Sequence, residues 1–457
     1  MDICKLVNHQ RNFFYSNATR DISFRLDKLK KLKTILLDNE KKLLEAIYTD
    51  LKKSEYNTIT TELSIIIGEI NHSLKMLPSW ANKKRAGTNL LNFPGRSYIL
   101  PEPYGVTYIA GAWNYPYQLT LLPLVSAIAA GNTAVIKPSE LSPSTSSVMA
   151  ELINNEFPSE YIHVIEGGAD VASEALKQKF DKIFFTGGTA IGRIVYEAAA
   201  RNITPVTLEL GGINPCLILP DCNIKVAAKR IVWGKFSNAG QTCVAPDYLL
   251  VHSSVEQQLL EEIKHLLETH FSQSAIEENY MCIVNDRHFE RIKKLIIPEK
   301  VYYGGVLNKE ERFISPTIVH NISFEDDVMK EEIFGPLLPV IRFDSLEDAI
   351  TLIRKGDKPL SFYVFGKKSA ETDRLFKEFS FGGGSLNDTV MYFVNPNLPL
   401  GGVGSSGLGK YHGKYGFEEF SHYKSVLEKG TWSEMWLLKV PPFSNWKIKL
   451  LRRLMEK

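Results

Sequence analysis

The sequence predicts an α/β protein built on a parallel sheet, and three observations carry that reading. Between Val106 and Ala200 short apolar runs alternate with helical segments: VTYIAGAW, a helix, TAVIKPSE, a helix, YIHVIEGG, a helix, KIFFTG and a last helix. At 457 residues the chain is too long for one ordinary core, so two or three domains are expected. The stretch FFTGGTAIGRIVYEAAA reads as strand, glycine turn and helix start, an arrangement that aims backbone N–H groups at a phosphate.

Taken in order, residues 20 to 82 read as helices. Leucine and isoleucine recur every three or four residues in FRLDKLKKLKTILLDNEKKLLEAIYTDL, with lysines between them, so the charge-rich face is expected in solvent. Pro78 and the Gly87, Pro94, Gly95 group are expected to end this region. SYILPEPYGVTYIAGAW gives two short strand-like runs around Pro101 to Pro103, which suits a sheet edge or an excursion from the main body. Leu119 to Ile136 is uncharged and nearly long enough to span a membrane. Pro123 near its start and Gly131-Asn132 near its end divide it into a buried helix, a turn and a buried strand. Helices are expected from Ser146 to Asn155 and from about Gly192 to Ala200. A second α/β set follows to about Phe381, with a helix after Ser253, the acidic turn FEDDVMKEEIFGP and strands around LSFYVFG. The stretches FGGGSLND and LPLGGVGSSGLGKYHGKYG carry Asn387, Leu398, Pro399, Tyr411 and Phe417 between their glycines. That interleaving predicts ordered loops near a site and not a linker.

Composition narrows the function. With 54 Lys and Arg against 52 Asp and Glu, net +2, no global field points to nucleic acid. The five cysteines are scattered, without Cys-x-x-Cys or histidine-linked spacing, which argues against a disulfide framework and against a metal site. They fit a reducing compartment. The start MDICKLVNHQRNFFYS has no apolar run of signal-peptide length, so a cytoplasmic protein is expected.

Chemistry concentrates at FSNAGQTCVAPD. The thiolate is the reactive form of cysteine, and Cys243 follows Asn238, Ala239, Gly240, Gln241 and Thr242, a small-residue loop that lets substrate approach. The Cys243 N–H could donate to an oxyanion. A lone cysteine is more often a small buried hydrophobe, so the case rests on its company. In VTLELGGINPCLIL, Glu209 is a carboxylate in an apolar run; buried, its pKa would rise toward that of a useful base. The plainer reading is a strand-end glutamate capped by its neighbours. The spacing Gly187, Gly188, Gly192 is not G-x-G-x-x-G and fits either a dinucleotide site or an ordinary tight βα turn.

Seven motifs in order resemble the aldehyde dehydrogenase superfamily, and in particular its short class 3 branch. They are GAWNYP (111–116), IKPSE (136–140), FFTGGTAIG (184–192), LELGG (208–212), NAGQTCVAPDY (238–248), EEIFGP (331–336) and PLGGVGSSGLGKYHGKYGFEEFSH (399–422), and they span essentially the whole chain. The resemblance implies NAD(P)-dependent oxidation of an aliphatic medium- or long-chain or aromatic aldehyde to the acid. Cys243 would attack the carbonyl, Asn114 and the Cys243 N–H would form the oxyanion hole, and Glu209 would activate the water that hydrolyses a thioester. Lys137 and Glu140 would bind the adenosine ribose, with NAD preferred and NADP tolerated because Glu140 would repel a 2′-phosphate. Gly187, Gly188, Thr189 and Gly192 would face the pyrophosphate, Glu332 would hold the nicotinamide ribose, and Trp113 and Phe334 would line the cofactor site. Gly188 stands where the family usually has serine, and Ile213 where it usually has lysine. A CoA-acylating dehydrogenase and a non-catalytic structural protein on the same fold are the alternatives. Glu209 speaks against the first, and the intact Cys243, Glu209 and Asn114 against the second. Tyr115, Tyr392 and Phe393 fit a substrate tunnel as readily as a core.

The implied fold is aldehyde dehydrogenase-like: a Rossmann-type NAD-binding domain (1–84 and 107–209), an α/β catalytic domain (210–415) and a small β oligomerisation excursion (85–106 and 416–440). Homodimers would form through about Tyr98 to Val106 and Lys424 to Glu428. In the tail TWSEMWLLKVPPFSNWKIKLLRRLMEK, residues 441–457 read as a basic amphipathic segment, too short and charged to span a bilayer. It would either lie on the inner membrane face or pack its tryptophans on the protein, with its cations merely solvated.

Overall fold

The apolar runs assemble into two large sheets. The structure is a computed structural model and describes residues 2–89, 92–271, 279–431 and 439–455, the Leu454 side chain excepted. Two compact units are distinguished, Met1–Trp80 with Pro103–His422, and Ala81–Glu102 with Tyr423–Lys457.

In the larger unit a six-stranded sheet has the order Gly407–Leu408, Val206–Glu209, Lys182–Thr186, Val106–Ala110, Thr133–Lys137, Ile162–Val164. All neighbours are parallel except the first pair. Both faces of such a sheet are covered, which is why VTYIA and TAVIK are buried at every position. The five parallel strands run third, second, first, fourth, fifth in chain order, the dinucleotide-fold arrangement. The order reverses between Val106–Ala110 and Lys182–Thr186, so the loops after Ala110 and Thr186 flank the crevice where such sheets bind ligands. A seven-stranded sheet has the order Val301–Tyr303, Thr317–Val319, Leu337–Phe343, Tyr248–His252, Pro215–Ile218, Ser361–Phe365, Gly383–Leu386, parallel except at its first pair. Its core packs Leu217, Leu250, Leu337, Phe362 and Val364.

Leu119 to Ile136 divides as its punctuation predicts. The helix Gln118–Ala130 is buried throughout, Gly131 turns left-handed (φ 94°) and the strand Thr133–Lys137 follows. Other expectations need correction. The helical region ends at Trp80 as expected, but its last helix, Ser64–Trp80, runs two residues past Pro78, because a proline in the last turn forfeits only one hydrogen bond there and Trp80 is buried beyond it against Phe417. The helix expected from Gly192 begins at Thr189, with Gly188 extended before it. The two runs expected around Pro101 and Pro103 are the strands Gly95–Pro103 and Val106–Ala110, with both prolines inside the end of the first and not between the two. Arg25, Asp50, Lys53, Glu62 and Glu69 are buried, so the charged residues of the helical region are not all at a solvated face.

The smaller unit holds a three-stranded sheet, Lys84–Ala86, Gly95–Pro103, Ser421–Lys429, with Lys424 paired to Glu102 at 2.6 Å. It also holds the helix Asn445–Met455. Trp432 and Trp436, part of the expected tail, lie outside the described residues. No helix among the described residues is long and apolar enough to cross a membrane.

Candidate active site

The loop that carries Cys243 is turned by three consecutive left-handed residues, Asn238 (φ 56°), Ala239 (φ 51°) and Gly240 (φ 69°). Gly240 is required twice over, for that φ and because a side chain would collide with the Gly335 carbonyl. Amides hold the turn. Asn238 Nδ2 donates to Asn114 O (3.1 Å) and Gln241 O (3.0 Å), and Gln241 Nε2 donates to Asn238 O (3.2 Å) and Cys282 O (3.1 Å). Beyond the cysteine, Asn214 Nδ2 donates to Cys243 O (2.7 Å) and Ala245 O (2.9 Å), while the Tyr363 hydroxyl donates to Val244 O (2.6 Å). The thiol is therefore held from both sides. Cys243 is partly exposed, and all five cysteines are free thiols. Burial, then the carboxylates of Glu332 and Glu209, push its thiol up to about 12, opposed by the N–H groups of Cys243 and Val244.

Asn114 lies in the loop after Val106–Ala110 and docks on the cysteine loop: its Nδ2 donates to Gln241 O at 3.0 Å, across 127 residues of sequence. A primary amide has two N–H groups, so one remains for an oxyanion. Tyr115, next in sequence, places its hydroxyl 2.8 Å from Thr242 Oγ1. Glu209 ends its strand in register with Thr186 and Gly407. It is buried, with Oε1 lacking a partner, and burial followed by the charge of Glu419 raises its pKa well above the usual value.

The residues assigned to a cofactor converge on the crevice side. Lys137, buried, ends its strand and pairs with half-exposed Glu140 at 2.8 Å. Gly187 and Gly188 follow Lys182–Thr186 directly and lead into the helix Thr189–Ala200, whose first turn leaves N–H groups for an anion. Gly192 packs against Leu210, and a side chain at Gly188 would meet nothing within 4 Å, so a serine there would be accommodated. Glu332 is tucked so close to Gly211 that a side chain there would displace its carboxylate, and it accepts the Gly212 N–H. Burial, then Asp247, raises its pKa well above the usual value. Phe334 (φ 47°) meets Trp113 edge-on at 5.4 Å. Thr186 Oγ1, Glu209 Oε1 and Glu332 Oε1 are buried without a partner. Unsatisfied buried polar atoms are costly, and three of them around the switch-point crevice fit a polar ligand such as a dinucleotide.

A cavity of about 230 Å³ borders the cysteine loop at Asn238 and Thr242, and Tyr115, Trp233, Val390, Phe393 and Lys53 are among its other lining residues. Tyr115 and Phe393 thus face it, whereas Tyr392 hydrogen-bonds Ser361 (2.9 Å) in the core. Sequence reasoning missed Thr186, Asn214, Asp247, Lys53 and Glu62. Asp247 accepts the N–H groups of Asn214 (2.9 Å) and Ile333 (3.1 Å), tying the cysteine loop to the segment of Glu332. Only Thr186, at a strand end before the glycine turn, carried a sequence signal.

Fold and site define a class: a two-sheet α/β protein of the dinucleotide-binding type, with a partly exposed cysteine, an amide donor and a buried carboxylate. The model of the aldehyde dehydrogenase family matches residues 1–426. The chain is 45% identical over 436 residues to the 4,4'-diaponeurosporen-aldehyde dehydrogenase of Staphylococcus aureus, covering 95% of each. It is 42% identical to the rat dimeric NADP-preferring aldehyde dehydrogenase, covering 94% of this chain and 96% of the relative. A solved structure of the substrate-bound state of Staphylococcus aureus AldH superposes with a TM-score of 0.96 at 44% identity, covering 99% of both chains. The chain belongs to the aldehyde dehydrogenase family, and it is an oxidoreductase that acts on aldehydes.

Proposed function

We propose that the chain oxidises aliphatic medium- or long-chain or aromatic aldehydes to acids with Cys243 as nucleophile and NAD, or less well NADP, as oxidant. The observation that carries this reading is the docking of Asn114 Nδ2 on Gln241 O beside Cys243. The Cys243 thiol gives up its proton to water as the sulfur bonds the carbonyl carbon, and the displaced electron pair on oxygen is met by the second Asn114 N–H and the Cys243 N–H, donors of the kind worth a few kcal/mol. NAD(P), when bound, would supply the hydride acceptor that the passage from thiohemiacetal to thioester on Cys243 requires. Glu209 takes a proton from the water that cleaves the thioester and returns the thiol. Residues 1–84 and 107–209, which carry most of the six-stranded sheet, serve as the dinucleotide-binding domain and residues 210–415 as the catalytic domain. Lys137 and Glu140 hold the adenosine ribose, the turn Gly187–Gly192 with Thr189 the pyrophosphate, and Glu332, Trp113 and Phe334 the nicotinamide end. The apolar walls of the 230 Å³ cavity support a hydrophobic aldehyde. Cys243→Ala is expected to abolish NADH formation from a medium-chain aldehyde and to retain NAD binding, read by calorimetry; more than a trace of turnover would overturn the reading. In the same assays kcat/KM should be higher with NAD than with NADP, and added CoA should not accelerate turnover.

A second reading, docking on anionic lipid from the cytoplasmic side, is favoured by the helix Asn445–Met455. At about 3.6 residues per turn Trp446, Leu450, Leu451, Met455 and Ile448 share a broad side, and Lys449, Arg452 and Arg453 a narrower one. Trp446 is 55% exposed and Met455 84%. Lys447, which falls among the apolar residues, turns its ammonium back to Val440 O at 2.8 Å. Such a helix fits the headgroup plane of a bilayer. Full-length protein should sediment with vesicles containing phosphatidylserine at low salt and be released as salt rises, while a chain truncated after Leu438 stays in solution. Equal sedimentation of the two would end this reading.

A further inference from the structure

Lys53 and Glu62 form an ion pair at 2.7 Å, and both side chains are essentially inaccessible, 1% and 0% exposed. Lys53 follows the left-handed Lys52 that ends the helix Glu40–Leu51, and Glu62 sits in a wide π-helical turn, Ile59–Leu63. Nothing in the mechanism above uses them. Taking two charges out of water costs more than most pairs regain, and an apolar replacement of similar volume is often neutral or stabilising. Burial pulls the Lys53 pKa down and the Glu62 pKa up, while their pairing opposes both shifts. Stability alone therefore accounts poorly for the pair.

Its contacts lead to the cysteine. Glu62 Oε2 accepts the N–H groups of Tyr117 (2.9 Å) and Gln118 (3.0 Å), where the helix Gln118–Ala130 begins just after GAWNYP. There the carboxylate meets the positive end of the helix dipole. The Lys53 ammonium lies over the Tyr115 ring, 4.2 Å from its centroid. The Tyr115 hydroxyl reaches Thr242 Oγ1 at 2.8 Å, one residue before Cys243, and Asn114 immediately precedes Tyr115. The segment Asn114–Gln118 is thus gripped on one side by Lys53 and Glu62 and on the other by the cysteine loop.

We infer that Lys53 and Glu62 are positioning residues for the oxidation, acting through Tyr115 to hold Asn114 and Cys243 in reacting geometry. The inference rests on the proposed roles of Cys243 and Asn114. Small displacements of preorganised donors are costly to rate, so the loss should fall on kcat. The test is the double variant Lys53→Met/Glu62→Gln, in which no charge is left buried and the glutamine carbonyl can still accept the Tyr117 and Gln118 N–H groups. Its thermal midpoint and NAD affinity should stay near wild type, while kcat falls at least tenfold with KM little changed. Tyr115→Phe removes only the hydroxyl and should lower kcat severalfold. Combined with the double variant it should add almost nothing, because the three residues act as one chain. Wild-type kcat in the folded double variant, or strictly multiplicative losses on combination, would overturn the inference. If the double variant does not fold, wild-type kcat in Tyr115→Phe overturns it. Failure of the underlying reading shows separately, as turnover by Cys243→Ala.

Discussion

At the scale of single residues, the most informative group is Glu209. Burial and Glu419 keep its pKa high, and its Oε1 is buried without a partner. A carboxylate so placed must be ionised to accept the water's proton, so hydrolysis should accelerate as pH rises through its raised pKa. Glu209→Gln conserves volume and removes the basicity. Rapid mixing with aldehyde and NAD should then show a burst of one NADH per site, followed by turnover slowed about 100-fold or more, without the rising pH limb. No burst would mean either that hydride transfer limits the variant or that Glu209 is not the base. The rise in its pKa was legible from a carboxylate within VTLEL, because burial follows from the apolar run itself. Lys53 and Glu62 were not legible. Helical spacing shows which side of a helix is apolar, but Glu62 finds its partners 55 and 56 residues away at Tyr117 and Gln118. Only the assembled fold turns those charges from surface into interior.

Individual elements were legible where one local cause decides them, and misread where a neighbour overrides it. Gly131 ends a helix because its φ of 94° suits glycine, and GN in the sequence signalled as much. The helix starts at Thr189, about three residues before the apolar periodicity, which begins after the first turn, whereas the turn itself begins at extended Gly188. Two glycines test how element geometry sets stability. Gly68 lies inside Ser64–Trp80, and a side chain there would meet nothing within 4 Å. Gly68→Ala should stabilise by about 0.5–1 kcal/mol, since glycine has the larger unfolded-state entropy. Gly240→Ala must hold alanine at a φ of 69° and push aside the Gly335 carbonyl. It should destabilise by more than about 1 kcal/mol and loosen the cysteine loop. Urea midpoints should bracket the wild type in that order, and the reverse order would refute the argument.

For the molecule as a whole, the smaller unit points to pairing. Its sheet ends in Ser421–Lys429, nine residues whose outer edge has no strand partner among the described residues. Exposed edges of that length invite another chain unless they are blunted. Inside this edge strand Leu427 is 44% exposed. The inward edge is already committed, through pairing with Gly95–Pro103 and the Lys424–Glu102 ion pair. The homodimer expected from the sequence would place a second copy of the chain along this outer edge. Light scattering at micromolar concentration should give twice the chain mass. Hydrogen exchange at Ser421–Lys429 should be slow in the dimer and speed up on dilution, because an edge strand paired on one side only leaves alternate N–H groups open to water. Val426→Pro removes one N–H from the strand and should shift the population toward monomer. A monomer mass for the wild type, with fast exchange along the strand at every concentration, would remove the dimer.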